Sequence, residues 1–274
     1  MAKLDRLVWV ETAYLSIYGL RVGIRSNSAE VIEQLMSNFP LECRRLNASD
    51  VQRLYSFVIP PIPQRNNLRP FCFLYRDAYR VGRAPNLQQL AQSFETDLAL
   101  HVAECAPHYL FVHAGVVSWK GQGILFPGYS FSGKSHLVRE FLRAGADYYS
   151  DEFAILTRES AVRPYARCLS LRETDRPAPV RLTAEELGAS TGKNPLPVRL
   201  IVLTSFRRGA QWRPERLSRG MGMLRMLEHT VAARTKPKLA FSILGRVADR
   251  AEIITSMRGE AAKTLPFIVK HLEC

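Results

Sequence analysis

The chain switches between two hydrophobic periods, and the switches outline its elements. Tyr14 to Arg25 alternates apolar and polar positions about Gly19, the pattern of a β-hairpin. Asn27 with Glu30 has the spacing to cap a helix running to about Phe39. Val58 to Gln64, with three prolines, reads as a rigid loop, and Phe71 to Val81 as strands around Asp77. Leu87, Leu90, Ala91, Phe94, Leu98, Val102 and Cys105 then recur at helical spacing, which predicts a helix over 87 to 105.

Beyond this point the pattern is strand-rich. Leu110 to Trp119 and Gly123 to Pro127 flank Lys120-Gly121-Gln122 as a hairpin, and His136 to Ala144 reads as a helix. Its buried face is Leu137, Val138, Phe141 and Leu142, and Gly145 is placed to end it. Tyr148 to Leu156 reads as one strand, with Val162 to Ala166 able to pair with it across Arg158-Glu159-Ser160. Thr183-Ala184-Glu185-Glu186 starts a short capped helix, and Gly192 to Pro197 is a loop before the strand Val198 to Phe206. Met221, Leu224, Leu227 and Val231 form a stripe expected to face the core of a helix. A helix near Lys238 to Ala248, a strand at Ile253 to Met257 and a terminal helix complete the chain. The sum is an α/β fold, a mixed sheet with hairpins and helices packed on it, in two parts: an α+β lobe over 1–105 and a second domain over 106–274. The lobe shows no chemistry of its own and reads as scaffold or substrate recognition.

Composition narrows the function classes. With 274 residues, 47% of them hydrophobic, the chain can bury a full core. No apolar run of ~18 residues and no signal-peptide core are present, so the expectation is a cytoplasmic protein without a membrane span. Five scattered cysteines have no metal-ligand spacing and read as reduced thiols. The net charge is +13, much of it arginine spread along the chain, as at Arg44-Arg45 and Arg207 to Arg219. It lacks the aromatic interleaving of a nucleic-acid platform and suits steering of a nucleotide or an acidic peptide. Oligomeric state stays open, a homo-oligomer included.

The chemistry concentrates at Gly128 to Ser135, G-Y-S-F-S-G-K-S, which fits the phosphate-binding pattern of Gly, four spacers, Gly, Lys, Ser/Thr. A chance match is expected roughly once in a hundred chains of this length. The context strengthens it, because an apolar strand precedes the loop and a helix follows, so backbone N–H groups and the helix dipole point at an anion. The loop residues Gly128, Tyr129, Ser130, Phe131, Ser132, Gly133, Lys134 and Ser135 are the candidate nucleotide site. Lys134 is expected to bridge β- and γ-phosphates, and Ser135 to offer its hydroxyl to Mg²⁺. Asp151 and Glu152 interrupt the Tyr148 to Leu156 strand; neighbours on a strand face opposite ways, so both serve one small site only across a twist or bulge. The same segment reads equally as an edge strand with solvated acids. His113, taken alone on its apolar strand, reads as a core histidine.

Taken together, His113-Ala114-Gly115-Val116-Val117, the phosphate loop and Tyr149-Ser150-Asp151-Glu152 resemble the catalytic domain of the HPr kinase/phosphorylase family, with looser similarity on to Leu169-Ser170-Leu171-Arg172. The likeness covers roughly residues 105 to 172, and is nearer the divergent HPr kinase-like proteins of bacterial gene clusters than the bifunctional regulator. It implies a phosphate-loop architecture related to phosphoenolpyruvate carboxykinase and a Mg-ATP-dependent phosphotransferase. It further implies that His113 lines the transfer site, that Asp151 is the base for an acceptor hydroxyl and that Glu152 is the second acid, near the metal. The acceptor is then a serine of a protein or peptide, or a small molecule; a nucleotide sensor without transfer is the alternative. Phe131 and Ser132 depart from the family's small residues and glycine, and Glu152 replaces its usual second Asp.

Overall fold

The computed structural model describes residues 4, 6–36, 42–47, 49–60, 71–172 and 180–273. It divides into two compact units, Met1–Pro107 and His108–Cys274.

The first unit contains β1 (Glu11–Ile17), β2 (Leu20–Ser26), α1 (Glu30–Met36), β3 (Cys43–Leu46), β4 (Arg53–Val58), β5 (Cys72–Arg76), β6 (Tyr79–Ala84) and α2 (Leu87–Cys105). The strands form one sheet in the order β3-β1-β2-β4-β5-β6, antiparallel except for β2 beside β4. Its β1–β2 turn needs a positive φ at both Tyr18 and Gly19, which is the turn geometry that matches strand twist. Helix α2 starts where Asn86 accepts the Gln89 N–H at 2.9 Å, and it buries Leu90, Phe94, Leu98 and Val102. Asn27 does not cap α1. Its side-chain amide instead pairs with both main-chain groups of Ile59, at 2.8 Å each, so it is spent on the adjoining strand end. The expected run of α1 to Phe39, and the loop beyond Pro60, lie outside the described residues.

The second unit continues with β7 (Leu110–Trp119), β8 (Gln122–Pro127), α3 (Lys134–Arg143), β9 (Asp147–Ser150), β10 (Phe153–Leu156), β11 (Ala161–Arg163), β12 (Leu169–Leu171) and β13 (Val180–Leu182). After a 3₁₀ turn at Glu185–Leu187 come β14 (Leu196–Phe206), β15 (Glu215–Arg216), α4 (Arg219–Leu227), α5 (Pro237–Arg250), β16 (Glu252–Arg258) and α6 (Ala261–Glu273). The main sheet runs β11-β10-β7-β8-β14-β16-β15, with β9 also on β7. Its centre is parallel, β8 beside β14 and β14 beside β16, and the remainder is antiparallel, so the sheet is mixed.

Alternation along the central strands makes two cores. Leu200 and Val202 of β14 join Leu137, Val138 and Phe141 of α3 and Ile268 of α6. Ile201 and Leu203 join Met226 of α4 and Ile243, Leu244 and Val247 of α5 on the other face. Parallel strands demand this cover on both sides.

Two expectations are corrected, and the short capped helix is found as a single turn. Tyr148 to Leu156 is two strands, β9 and β10, because the Ser150 hydroxyl accepts the N–H groups of Glu152 and Phe153 at 3.1 and 3.0 Å and turns the chain at the acid pair. Thr183 and Glu186 do exchange capping bonds, yet the turn they start lasts only to Leu187 before Gly188 at φ 72°. The first half of the α4 stripe faces outward: Met221 and Leu224 are 49% and 51% exposed, whereas Leu227 packs against the core, Val231 is half-buried beyond the helix end, and Gly222 and Met226 are buried. Gly222 sets that rotation, since a Cβ there would sit 2.4 Å from Ile253 Cδ1.

Candidate functional site

The parallel strands β8, β14 and β16 end at one edge of the sheet, the usual place for ligands in such sheets. Gly128 to Ser135 leaves β8 there and enters α3 at Lys134. Gly133 holds φ 86°, which requires glycine, and a Cβ on Gly128 would lie 2.6 Å from Ser132 Oγ and force that hydroxyl to rotate. The end of β14 clamps the loop through Phe206 N–H on Ser132 O at 3.3 Å. Ser132 Oγ is buried without a hydrogen-bond partner.

Lys134 is 7% exposed. Its ammonium donates to Gly128 O at 2.9 Å and Tyr129 O at 2.7 Å, and burial pulls its pKa down to about 8, with Asp151 opposing. Gly128 O also meets His113 Nδ1 at 2.8 Å. A carbonyl only accepts, so Nδ1 carries the proton and the neutral ring keeps its lone pair on Nε2. Burial, then the Lys134 charge, lowers the His113 pKa and favours that neutral form.

Asp151 and Glu152 diverge at the Ser150 turn. Asp151 Oδ2 accepts the Ser170 N–H at 3.2 Å, and Oδ1 is buried without a well-formed hydrogen bond. Burial raises the Asp151 pKa to about 6 against the downward pull of the Ser135 side chain, the Ser170 N–H and Lys134. Glu152 pairs with Arg167 at 2.9 Å, and its charge reaches His113. The structure therefore brings Asp151, rather than Glu152, to Ser135.

The loop's spacers carry exposed aromatics. Phe131 is 79% exposed at φ 69°, with the Arg172 guanidinium 4.6 Å over its ring. Tyr129 meets the His229 ring edge-on at 4.6 Å. Ser130 is exposed at the loop apex.

Arg258 is the residue that the sequence reading missed. It ends β16 directly opposite Phe206 in the parallel register, and it is 1% exposed. Its guanidinium donates to Gly133 O at 2.7 Å and Gly259 O at 2.8 Å; Nε has no partner, and burial lowers its pKa to about 10. The available signal was an arginine followed by glycine at the end of an apolar strand.

Two buried cations without a carboxylate hydrogen bond, a left-handed glycine, a helix N-terminus and a buried carboxylate beside the Ser135 side chain make a site suited to a phosphate chain with a hard cation. The Ser135 hydroxyl and the Asp151 carboxylate fit Mg²⁺, which takes few protein ligands alongside phosphate oxygens. Among the described residues no cluster of three or more His, Cys, Asp or Glu forms a separate metal site, and no helix is long and apolar enough to cross a membrane. No protein-family model matches the chain, and no curated protein matches it.

Proposed function

We propose that the protein is a Mg-ATP-dependent phosphotransferase of the HPr kinase-like type, moving the γ-phosphoryl group to a hydroxyl acceptor. The observation that carries this reading is the buried Lys134, held only by loop carbonyls six and five residues behind it, beside Asp151. A buried cation with no carboxylate hydrogen-bonded to it is costly even with Asp151 near, and the first turn of a helix adds to that cost. A triphosphate on the loop N–H groups relieves both.

Lys134 and Arg258 then stabilise charge on the transferring group, and the loop holds it in line. Mg²⁺ held by the Ser135 hydroxyl would neutralise phosphate charge, which leaves the Asp151 carboxylate free to act as a base. Asp151, with a pKa of about 6, is ionised at neutral pH and close enough to it to take the acceptor proton. His113 Nε2 lines the same end of β7, and Glu152, fixed by Arg167, is the second acid beside it.

Transfer from γ-³²P-ATP to host proteins and Ser-containing peptides tests the reading. Wild type should label an acceptor, while Asp151→Asn should lose roughly 10²–10⁴-fold in rate and retain ATP binding. ATP binding without any labelled acceptor would favour the nucleotide sensor. A Mg²⁺ requirement that rises in Asp151→Asn while transfer survives would reassign Asp151 to the metal alone.

A further inference from the structure

Helix α4 joins the candidate site to the opposite edge of the sheet. The chain leaves β15 near the start of β16, where Leu217 N–H donates to Ile253 O at 2.9 Å, and α4 begins at Ser218, whose hydroxyl accepts the Met221 N–H. At the far end His229 O accepts the His113 N–H at 2.7 Å, and the His229 ring lies against Tyr129 of the phosphate loop.

The starting end of α4 borders a cavity of about 360 Å³ whose charged lining is Arg199, Arg216, Arg219 and Arg250 against Asp249 and Glu252. Arg219 reaches Asp249 at 3.1 Å and Arg216 reaches Glu252 at 3.6 Å, but the two arginines are 75% and 77% exposed. Pairs this exposed contribute little, so they yield readily to another carboxylate. Between the cavity and the loop, the outer face of α4 presents Met221 and Leu224, half-exposed, and the exposed Arg225, which meets Glu228 at 3.4 Å in a pair of the same exposed kind. An apolar strip between arginines, on a chain of net charge +13, is complementary to an acidic segment with apolar side chains.

Building on the phosphotransferase reading, we propose that α4 is the docking track for an extended, acidic segment of a protein acceptor. An acidic side chain enters the arginine cavity, apolar side chains lie on Met221 and Leu224, and the acceptor hydroxyl reaches the loop beside His229. The nine residues of α4 rise about 13 Å at ~1.5 Å each. An extended peptide covers that length in about four residues at ~3.3 Å each. The acid therefore stands about four or five positions from the hydroxyl residue.

The test is fluorescence anisotropy of labelled single-Ser peptides on the full chain without nucleotide. One set carries Leu residues and an Asp-Glu pair about five positions from Ser, on either side; controls replace the pair by Lys-Lys or move it next to Ser. The spaced acidic peptide should bind about tenfold tighter than either control. Arg199→Glu/Arg219→Glu and Met221→Glu/Leu224→Glu should each remove that preference and leave ATP affinity and melting temperature unchanged. Arg199→Gln/Arg219→Gln should weaken it by less than the charge reversal. Equal binding of acidic and basic peptides, or full binding by the reversed variant, would overturn the proposal. So would selective binding to phosphatidylserine vesicles that Met221→Glu/Leu224→Glu abolishes, which would make α4 a membrane contact. Peptide binding without transfer would instead count against the phosphotransferase reading alone, and transfer without peptide preference against the docking track alone.

Discussion

In the first unit, Arg76 closes on Asp97 at 2.8 Å, and the Tyr55 hydroxyl donates to the other oxygen of the same carboxylate at 2.7 Å. In the second, Lys134 and Arg258 are buried, at 7% and 1% exposure against 37% for the Arg76 side chain, and donate only to main-chain carbonyls. Burial and the acceptors both separate the two. A carboxylate hydrogen-bonded to a cation neutralises it and completes a structural contact, whereas carbonyls satisfy the hydrogen bonds of Lys134 and Arg258 and leave Asp151 and Glu260 to offset their charges without a direct bond. That incompletely offset charge gathers at the sheet edge where β8, β14 and β16 end, which is the physical argument for an anionic ligand there.

Replacing one cation from the second unit and the carboxylate from the first tests this contrast most directly. Lys134→Ala should weaken Mg-ATP binding about 100-fold, or ~2.7 kcal/mol, by titration calorimetry. Its nucleotide-free melting temperature should stay unchanged or rise, since a costly buried charge is removed. Asp97→Ala should do the reverse, lowering unfolding free energy by about 2 kcal/mol in urea, because Arg76 and Tyr55 both lose their partner. ATP affinity should stay as in wild type. If Asp97→Ala weakened ATP binding as strongly as Lys134→Ala, the division between structural and ligand-facing cations would fail.

A smaller effect is expected at Arg258. Arg258→Lys keeps the charge but cannot span Gly133 O and Gly259 O with a planar fork, so ATP should bind about tenfold more weakly. Gly133→Ala attacks the same contact from the loop side. Its Cβ would lie 2.3 Å from Arg258 Nη2, and φ 86° costs a non-glycine residue about 1–2 kcal/mol. The two changes together should cost less than their sum, because both disrupt one contact.

How much of this could be read from the sequence depended on how local each feature is. Helix α2 falls on 87–105 as its seven apolar positions require, and the β7–β8 hairpin, loop and α3 follow one another along the chain. The break between β9 and β10 was missed because a single hydroxyl, Ser150, takes two N–H groups that a strand would otherwise use. The outward face of α4 was missed because Gly222 touches Ile253, a contact made by a turn through β15 that periodicity does not encode. Arg258 joins Gly133 across 125 residues, and only the parallel register of β14 and β16 brings them together.

Acidity provides the smallest and most selective test of the contrast. Lys134, with a native pKa of about 8 against an ordinary 10.5, releases its proton in the folded chain before the unfolded one does. Between those values the unfolded state holds more protons, so the Lys134 contribution to nucleotide-free stability rises with pH. ATP binding needs the charged amine and should run the opposite way, weakening about fivefold to tenfold from pH 7 to pH 9. Asp151 has the reverse character: its pKa is raised from 3.8 to about 6, so the native state binds the proton more tightly. Its contribution to stability falls as pH rises from about 4 to 6 and is then constant, while transfer should rise through about pH 6 to a plateau. Lys134→Arg keeps a full charge across this range, so the alkaline loss of ATP affinity should disappear, whatever the variant's absolute affinity. Persistence of the same alkaline loss in Lys134→Arg would assign it to another group and remove the argument that Lys134, hydrogen-bonded only to carbonyls, is held for a phosphate.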